Sequence, residues 1–211
     1  MIIQTKDLGK RYNREWVFRH ASLRFESGKS YGITGSNGAG KSTLLRVLWG
    51  QLPASEGEVS YQYPDSTLNP DEWYSKVAIA APYMDLVDEF TLGQLISFHF
   101  RLRNRGGAVS DKEMLDRMEL GHARHKPLKD FSSGMKQRVK LGLALLSASE
   151  ALFLDEPTTN LDEQAMSWYH HLLTQQSLNR IVIIASNVAE DFPTGSELID
   201  VRSFKRLPGA G

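Results

Sequence analysis

The stretch Gly35-Ser36-Asn37-Gly38-Ala39-Gly40-Lys41-Ser42-Thr43 fits the pattern G-x-x-x-x-G-K-[ST]. The chemistry such a loop performs is polyphosphate binding. Its glycines let the backbone turn tightly and aim N–H groups inward, and the helix that follows adds its positive end. Lys41 can reach the terminal phosphates, the Ser42 hydroxyl can coordinate magnesium, and Thr43 adds a phosphate hydrogen bond. The plain alternative is a glycine-rich turn before a helix, with a structural lysine.

A second set of chemical residues lies downstream. Ala151-Leu152-Phe153-Leu154 reads as a buried strand, followed at once by Asp155-Glu156-Pro157. An aspartate leaving a buried strand can hold magnesium opposite Ser42. Glu156 is then placed to polarise a water aimed at the terminal phosphate. Taken alone, the two acids could simply begin a loop.

These residues need elements to position them. A strand over 30–34 enters the phosphate loop, and a helix over 42–48 leaves it, burying Leu44, Leu45, Val47 and Leu48. Gly50 closes that helix and Pro53 prevents its resumption. Residues 2–8 read as a first edge strand. Trp16, Phe18, Leu23 and Phe25 imply further strand, with His20 and Ser22 as turn residues. Residues 57–63 alternate in part, with Val59, Tyr61 and Tyr63 on one face, and 64–71 read as a polar loop. A short strand is predicted over 77–81. Helices are predicted over 91–102, 111–118, 133–146 and 163–173, with Met114, Leu115 and Met118 as core residues. Gly106-Gly107 breaks the pattern. Residues 181–185 form the clearest central strand, 197–201 a last edge strand and 207–211 a frayed tail. Strands alternating with helices around a phosphate loop imply an α/β fold of the P-loop NTPase kind. It has a mostly parallel core sheet, an N-terminal antiparallel β portion and an inserted helical lobe. The expected organisation is one domain over 1–211, its core formed by 1–83 and 147–205 and its lobe by 84–146.

Bulk composition narrows the function classes. Of 211 residues, 25 are lysine or arginine and 25 aspartate or glutamate, so net charge does not favour nucleic acid and suits a permanent partner. There is no cysteine, which excludes disulfides, thiolate catalysis and cysteine metal sites. The first nine residues lack the apolar core of a signal peptide, and the longest apolar runs are too short to cross a bilayer. His20, His99, His122, His125, His170 and His171 show no strong metal spacing and read as ordinary side chains. Arg101, Arg103, Arg105 and Lys112 make a basic patch, either a solvated face or a contact for anionic headgroups or an acidic partner loop. Lys6, Lys10, Arg11 and Arg14 read similarly.

Residues 35–43, Phe131-Ser132-Ser133-Gly134-Met135-Lys136-Gln137-Arg138, Leu154-Asp155-Glu156-Pro157-Thr158 and Thr159-Asn160-Leu161-Asp162 occur in this order. Together they resemble the nucleotide-binding domain of ABC transporters, over roughly residues 2–201. Chain length and the serine-rich form of 131–138 resemble the compact subunits of ABC-2-type and haem-exporter-like systems. The resemblance implies that Ser132, Ser133 and Gly134 belong to a signature presented by one subunit to the terminal phosphate held by another. A serine at the start of a long helix suits an anion, and equally suits a helix cap. Asp162 would lie along the dimer seam, and Tyr12 would stack on adenine.

The same resemblance implies ATP and magnesium as cofactors and a second ATP-binding subunit, forming a homodimer on ATP. It also implies separate transmembrane permease subunits driven for export, and a cytoplasmic location peripheral to the membrane. No nucleic acid is expected. Three positions depart from the family pattern. Tyr83 stands where a glutamine usually touches metal and water, Asn187 where a histidine contacts the terminal phosphate, and Ser133 where glycine is common. Tyrosine offers no amide carbonyl, and asparagine donates a hydrogen bond but shuttles no proton. The expectation is ATP hydrolysis that is slow or partner-dependent. Its alternative is an ATP-dependent gating module with little hydrolysis. A DNA-repair or translation member would carry coiled-coil or tandem insertions, and a phosphate-loop kinase would not explain 131–138 beside 154–162.

Overall fold

The computed structural model describes residues 1–63, 66–103 and 110–205. The chain runs β1 (Ile2–Tyr12), β2 (Glu15–Ala21), β3 (Arg24–Glu26), β4 (Ser30–Thr34), α1 (Lys41–Leu48), β5 (Glu56–Tyr63) and β6 (Ser66–Thr67). It continues through α2 (Pro70–Lys76), β7 (Val77–Ala80), α3 (Leu92–Leu102), α4 (Asp111–Arg117), α5 (Ser133–Leu146), β8 (Ala151–Asp155), α6 (Glu163–Gln176), β9 (Ile181–Ala185) and β10 (Glu197–Asp200).

Two sheets result. The core sheet has the order β10-β4-β9-β8-β7, with every neighbouring pair parallel. Its inner strands β8, up to the closing Asp155, and β9 are apolar because both faces are covered. Their side chains alternate between two cores. Leu152, Leu154, Val182 and Ile184 join the cluster under α3, α4, α5 and α6. Ala151, Phe153, Ile181 and Ile183 join the cluster around α1, α2 and the second sheet. That second sheet is antiparallel, in the order β2-β1-β5-β6, with β3 also paired to β1. The fold is therefore an α/β P-loop NTPase fold with a mostly parallel core sheet, an N-terminal antiparallel portion and inserted helices.

Three expectations are corrected. β1 is not an edge strand, since β2, β3 and β5 all pair with it. Edge status depends on partners that lie far along the chain. His20 is not in a turn between strands. It sits inside β2 at φ 59°, where the register against β1 shifts. Residues 64–71 are not wholly a loop, because Ser66 and Thr67 pair with β5 and α2 begins at Pro70. The start of α2 was written in the sequence. Asn69 Oδ1 accepts from Glu72 N at 2.9 Å, Glu72 Oε2 accepts from Asn69 N at 3.2 Å, and proline occupies the first turn. Arg105, the break at Gly106-Gly107 and the tail at 207–211 lie outside the described residues.

Candidate functional site

The ends of β4, β8 and β9 converge, because parallel neighbours place their C-terminal loops on one edge of the sheet. The loop after β4 is shaped by glycine. Gly40 has φ 108°, and a Cβ there would lie 2.4 Å from Val17 Cγ1. No side chain caps the helix it opens, so the first amides of α1 remain available to an anion. Lys41 is buried, donates from Nζ to Gly35 O at 3.0 Å and stands 3.5 Å from Glu156 Oε1.

Ser42 and Asp155 meet across the gap between α1 and β8, with Ser42 Oγ donating to Asp155 Oδ1 at 2.9 Å. Burial pushes the Asp155 carboxyl above the usual carboxylate range, against the Ser42 hydroxyl that holds it down. A hydroxyl and a carboxylate are the hard oxygen donors that magnesium accepts when phosphates supply further ligands. Among the described residues no group of three or more His, Cys, Asp or Glu could hold a metal by itself. This donor set fits a magnesium ion that arrives with a nucleotide.

Glu156 follows Asp155 in a left-handed conformation, φ 45°. Such a backbone costs energy for a side-chain-bearing residue. It is fixed here by Glu156 N donating to Ala185 O at 2.8 Å. Ser186 Oγ donates to Glu156 Oε2 at 3.4 Å, and Asn187 Nδ2 donates to Asn37 Oδ1 at 3.4 Å. The loop after β9 thus touches both the acid and the phosphate loop.

A cavity of about 670 Å³ gathers Asn37, Gly38, Gly40, Lys41, Ser42, Thr43, Glu156 and Asn187. Ser36 and Asn187 share an adjoining cavity of about 550 Å³, and Ala39 packs into the core. The other expected site residues lie elsewhere. Tyr12 ends β1 opposite Glu15, largely exposed, with Lys10 Nζ 5.3 Å from its ring centre. Tyr83 does not line the cavity. Its ring lies 5.0 Å from the Arg46 guanidinium and tilts against Trp49 at 6.2 Å. Burial, with the Asp155 charge adding, raises its phenol above the ordinary value. Ser132 caps α5, its Oγ accepting from Met135 N at 3.2 Å, and Ser133 is the first residue of that helix. Asp162 caps α6, its Oδ1 accepting from Ala165 N at 2.8 Å. None of Ser132, Ser133, Gly134 and Asp162 lines the cavity that holds Lys41.

Sequence reasoning missed several neighbours. Val17 and Val188 line the cavity, and nothing in their type marks them; Thr159, quoted only as part of a motif, lines it as well. Arg46, on α1 between the buried Leu45 and Val47, is the partner of Tyr83. Gln137 is buried, donating from Nε2 to Pro157 O at 2.8 Å. A Cβ on Gly134 would lie 2.7 Å from Asn160 O. The start of α5 is thereby pressed against the loop after β8. The basic patch is only partly free, since Arg103 spends a guanidinium N–H on Val77 O at 2.6 Å.

Comparisons with known proteins agree with this geometry. The profile of the ABC transporter family matches residues 18–159. The ABC transporter ATP-binding protein YybJ of Bacillus subtilis is 30% identical over 195 residues, covering 90% of this chain and 87% of that protein. The daunorubicin/doxorubicin resistance ATP-binding protein DrrA of Streptomyces peucetius is 33% identical over 166 residues, covering 77% of this chain and 50% of its own length. A solved structure from Pyrococcus furiosus, described as an ABC transporter ATP-binding protein, superposes with a TM-score of 0.79 at 21% identity, covering 98% of this chain and 100% of that one. The family match spans more than half of the sequence and the relatives extend it: this chain belongs to the ABC transporter family, as an ATP-binding domain.

Proposed function

We propose that this chain is an ATP-hydrolysing subunit that dimerises around ATP and drives a separate membrane permease in the direction of export. One observation carries the reading. Lys41, Ser42 and Glu156 share a cavity, with Asp155 hydrogen-bonded behind Ser42, while the serine-rich start of α5 stays outside it. Bound between Ser42 and Asp155, magnesium would supply charge neutralisation for the phosphates. Lys41 and the α1 amides would hold the anion, and Glu156 would take the proton from an attacking water. The missing contact from Ser132 and Gly134 would come from a second copy, so ATP would favour the closed pair.

Support for a membrane partner comes from the second face of the sheet. A groove of about 230 Å³ lies between β7, α3 and α5, walled by Met84, Leu86, Val87, Leu95 and Leu143. Among the described residues no helix is long and apolar enough to cross a membrane. The relative named for drug resistance supports export and the compact export-type grouping. On this reading 84–146 act as the lobe that passes closure to the permease, 1–83 and 147–205 form the ATP-binding core, and the chain sits on the cytoplasmic side.

A second reading has its own support. Tyr83 is stacked on Arg46 instead of lining the cavity, and Asn187 carries no charge. Both favour slow or partner-dependent turnover, and at the limit a nucleotide-gated module. ATP turnover of the chain, with and without its co-purified membrane partner, separates the two. Glu156→Gln should lower turnover at least about 10²-fold while ATP still binds. In the same assay Tyr83→Gln combined with Asn187→His should raise it. ATP binding with no Glu156-dependent turnover in either preparation would leave only the gating module.

A further inference from the structure

A buried carboxylate lies behind the site and has no role in the scheme above. Asp191 closes the short turn after β9 and is 1% exposed, and neither of its carboxyl oxygens makes an aligned hydrogen bond. Its neighbours come from every element packed around it. Ser186 belongs to the loop after β9 and Thr158 to the loop after β8, and the hydroxyls of both favour its charged form. His170 on α6 acts in the same direction, while burial and the adjacent Glu190 oppose it and prevail. Tyr169, also on α6, donates its hydroxyl to the Asp191 backbone carbonyl at 3.2 Å, which pins the turn against that helix.

Ser186 connects Asp191 to the chemistry. It is fully buried, accepts from Val188 N at 3.0 Å and donates to Glu156 Oε2 at 3.4 Å. A serine hydroxyl has one hydrogen and two lone pairs. Against an ionised Asp191, that one hydrogen is contested by two carboxylates. Against a protonated Asp191 nothing is contested. The acid donates to the second lone pair of Ser186, and Ser186 gives its hydrogen to Glu156. Thr158 can then donate to the remaining oxygen of the acid.

We propose that Asp191 is a positioning residue for Glu156: as a neutral acid it donates to Ser186 Oγ and so turns the single hydrogen of Ser186 onto Glu156. The loop after β9 thereby fixes where Glu156 points when it accepts a proton from water. Burial of a carboxyl whose oxygens make no aligned hydrogen bond favours this neutral form over the opposing pull of His170. The inference rests on Glu156 as the base in the proposed function, and extends it to the residue that orients that base.

Two measurements on the full chain decide the matter. The first reads Asp191 directly. The infrared spectrum of the wild type minus that of Asp191→Asn, at neutral pH and without nucleotide, should show the carbonyl stretch of a protonated carboxylic acid. A carboxylate band alone would overturn the proposal. The second reads turnover against pH with the membrane partner present. Asp191→Asn keeps a donor at this place, so its kcat should stay within about threefold of wild type and lose any decline at high pH. Asp191→Leu removes the donor, and its kcat should fall at least tenfold with the KM for ATP changed less than threefold. Equal loss in both variants, or no loss in Asp191→Leu, would also overturn it. Absence of Glu156-dependent turnover in the wild type would count against hydrolysis itself, and the infrared result would still decide the protonation of Asp191.

Discussion

Helices α1 and α5 both begin beside the cavity or next to it, yet their N-terminal ends are treated in opposite ways. α1 is tied down at its far end. Tyr61 Oη donates to Leu48 O at 2.9 Å, Trp73 Nε1 to Trp49 O at 3.0 Å and Tyr74 Oη to Gly50 O at 2.8 Å. Its N-terminus has no side-chain cap. α5 is tied down at its near end, where Ser132 caps it, Gln137 reaches Pro157 and Gly134 presses on Asn160. The difference shows how one fold makes two kinds of helix start. Anchoring α1 by its carbonyl end leaves its amides free for phosphate. Anchoring α5 by its amide end ties its start to the loop after β8, which also carries Glu156.

The largest effect should come from removing the anchor of α1. Trp73 is nearly fully buried, its ring stacked on Tyr61 with centroids 3.9 Å apart. Trp73→Ala should cost about 3–5 kcal/mol of stability, measured by urea unfolding. Trp73→Phe keeps most of the packing and loses one hydrogen bond to a buried carbonyl, for about 1–3 kcal/mol. If the Phe variant cost as much as the Ala variant, the anchor would be the indole hydrogen bond and not the aromatic packing.

A smaller effect separates the two helix starts. Ser132→Ala removes the cap of α5 and should cost about 1 kcal/mol of stability. ATP binding by the isolated chain should stay unchanged, because Ser132 does not line the cavity with Lys41. ATP-driven association of two chains, followed by light scattering with Glu156→Gln in the background, should weaken. Loss of ATP binding in the monomer would instead place Ser132 in its own chain's site and erase the contrast between α1 and α5.

Much of this contrast was legible in the sequence, and the rest had physical reasons to stay hidden. The phosphate loop is local, so Gly35 to Thr43 declare both its shape and its ligand. The α5 boundaries were legible because Ser132 suits a cap and the apolar run from Val139 to Leu146 is nearly continuous. The anchor of α1 was not, because Trp73 lies on α2, whose start at Asn69-Pro70 passes for a turn unless Glu72 is read as the return half of a capping box. The contact of Tyr83 with Arg46 was not legible either, because the two residues lie on different elements. Asp191 gave no signal at all, since a lone acid in a polar loop reads as surface until topology buries it between β8, β9 and α6.

The smallest expected effect concerns the far end of α5, which is held by polar and titratable groups where α1 has aromatic ones. Arg180 donates to Leu145 O at 3.1 Å. Ser147 Oγ donates to Leu143 O at 2.7 Å and contacts His99 Nε2 at 2.9 Å. The one hydrogen of Ser147 is therefore spent on the helix, and His99 must carry its own hydrogen on Nε2. Burial, with the Arg103 charge adding, pushes the imidazole down to about 4. In an unfolded chain it titrates near 6.5. Between these values the unfolded state binds more protons than the folded one, so stability rises with pH. The contribution is complete above about pH 6.5 and is lost as pH falls toward 4. The effect should be modest, because His99 keeps part of its surface in water. Urea midpoints of wild type and His99→Gln, compared between pH 7 and pH 4.5, should converge as pH falls, since glutamine does not titrate. Parallel curves would mean that α5, like α1, is anchored without regard to pH.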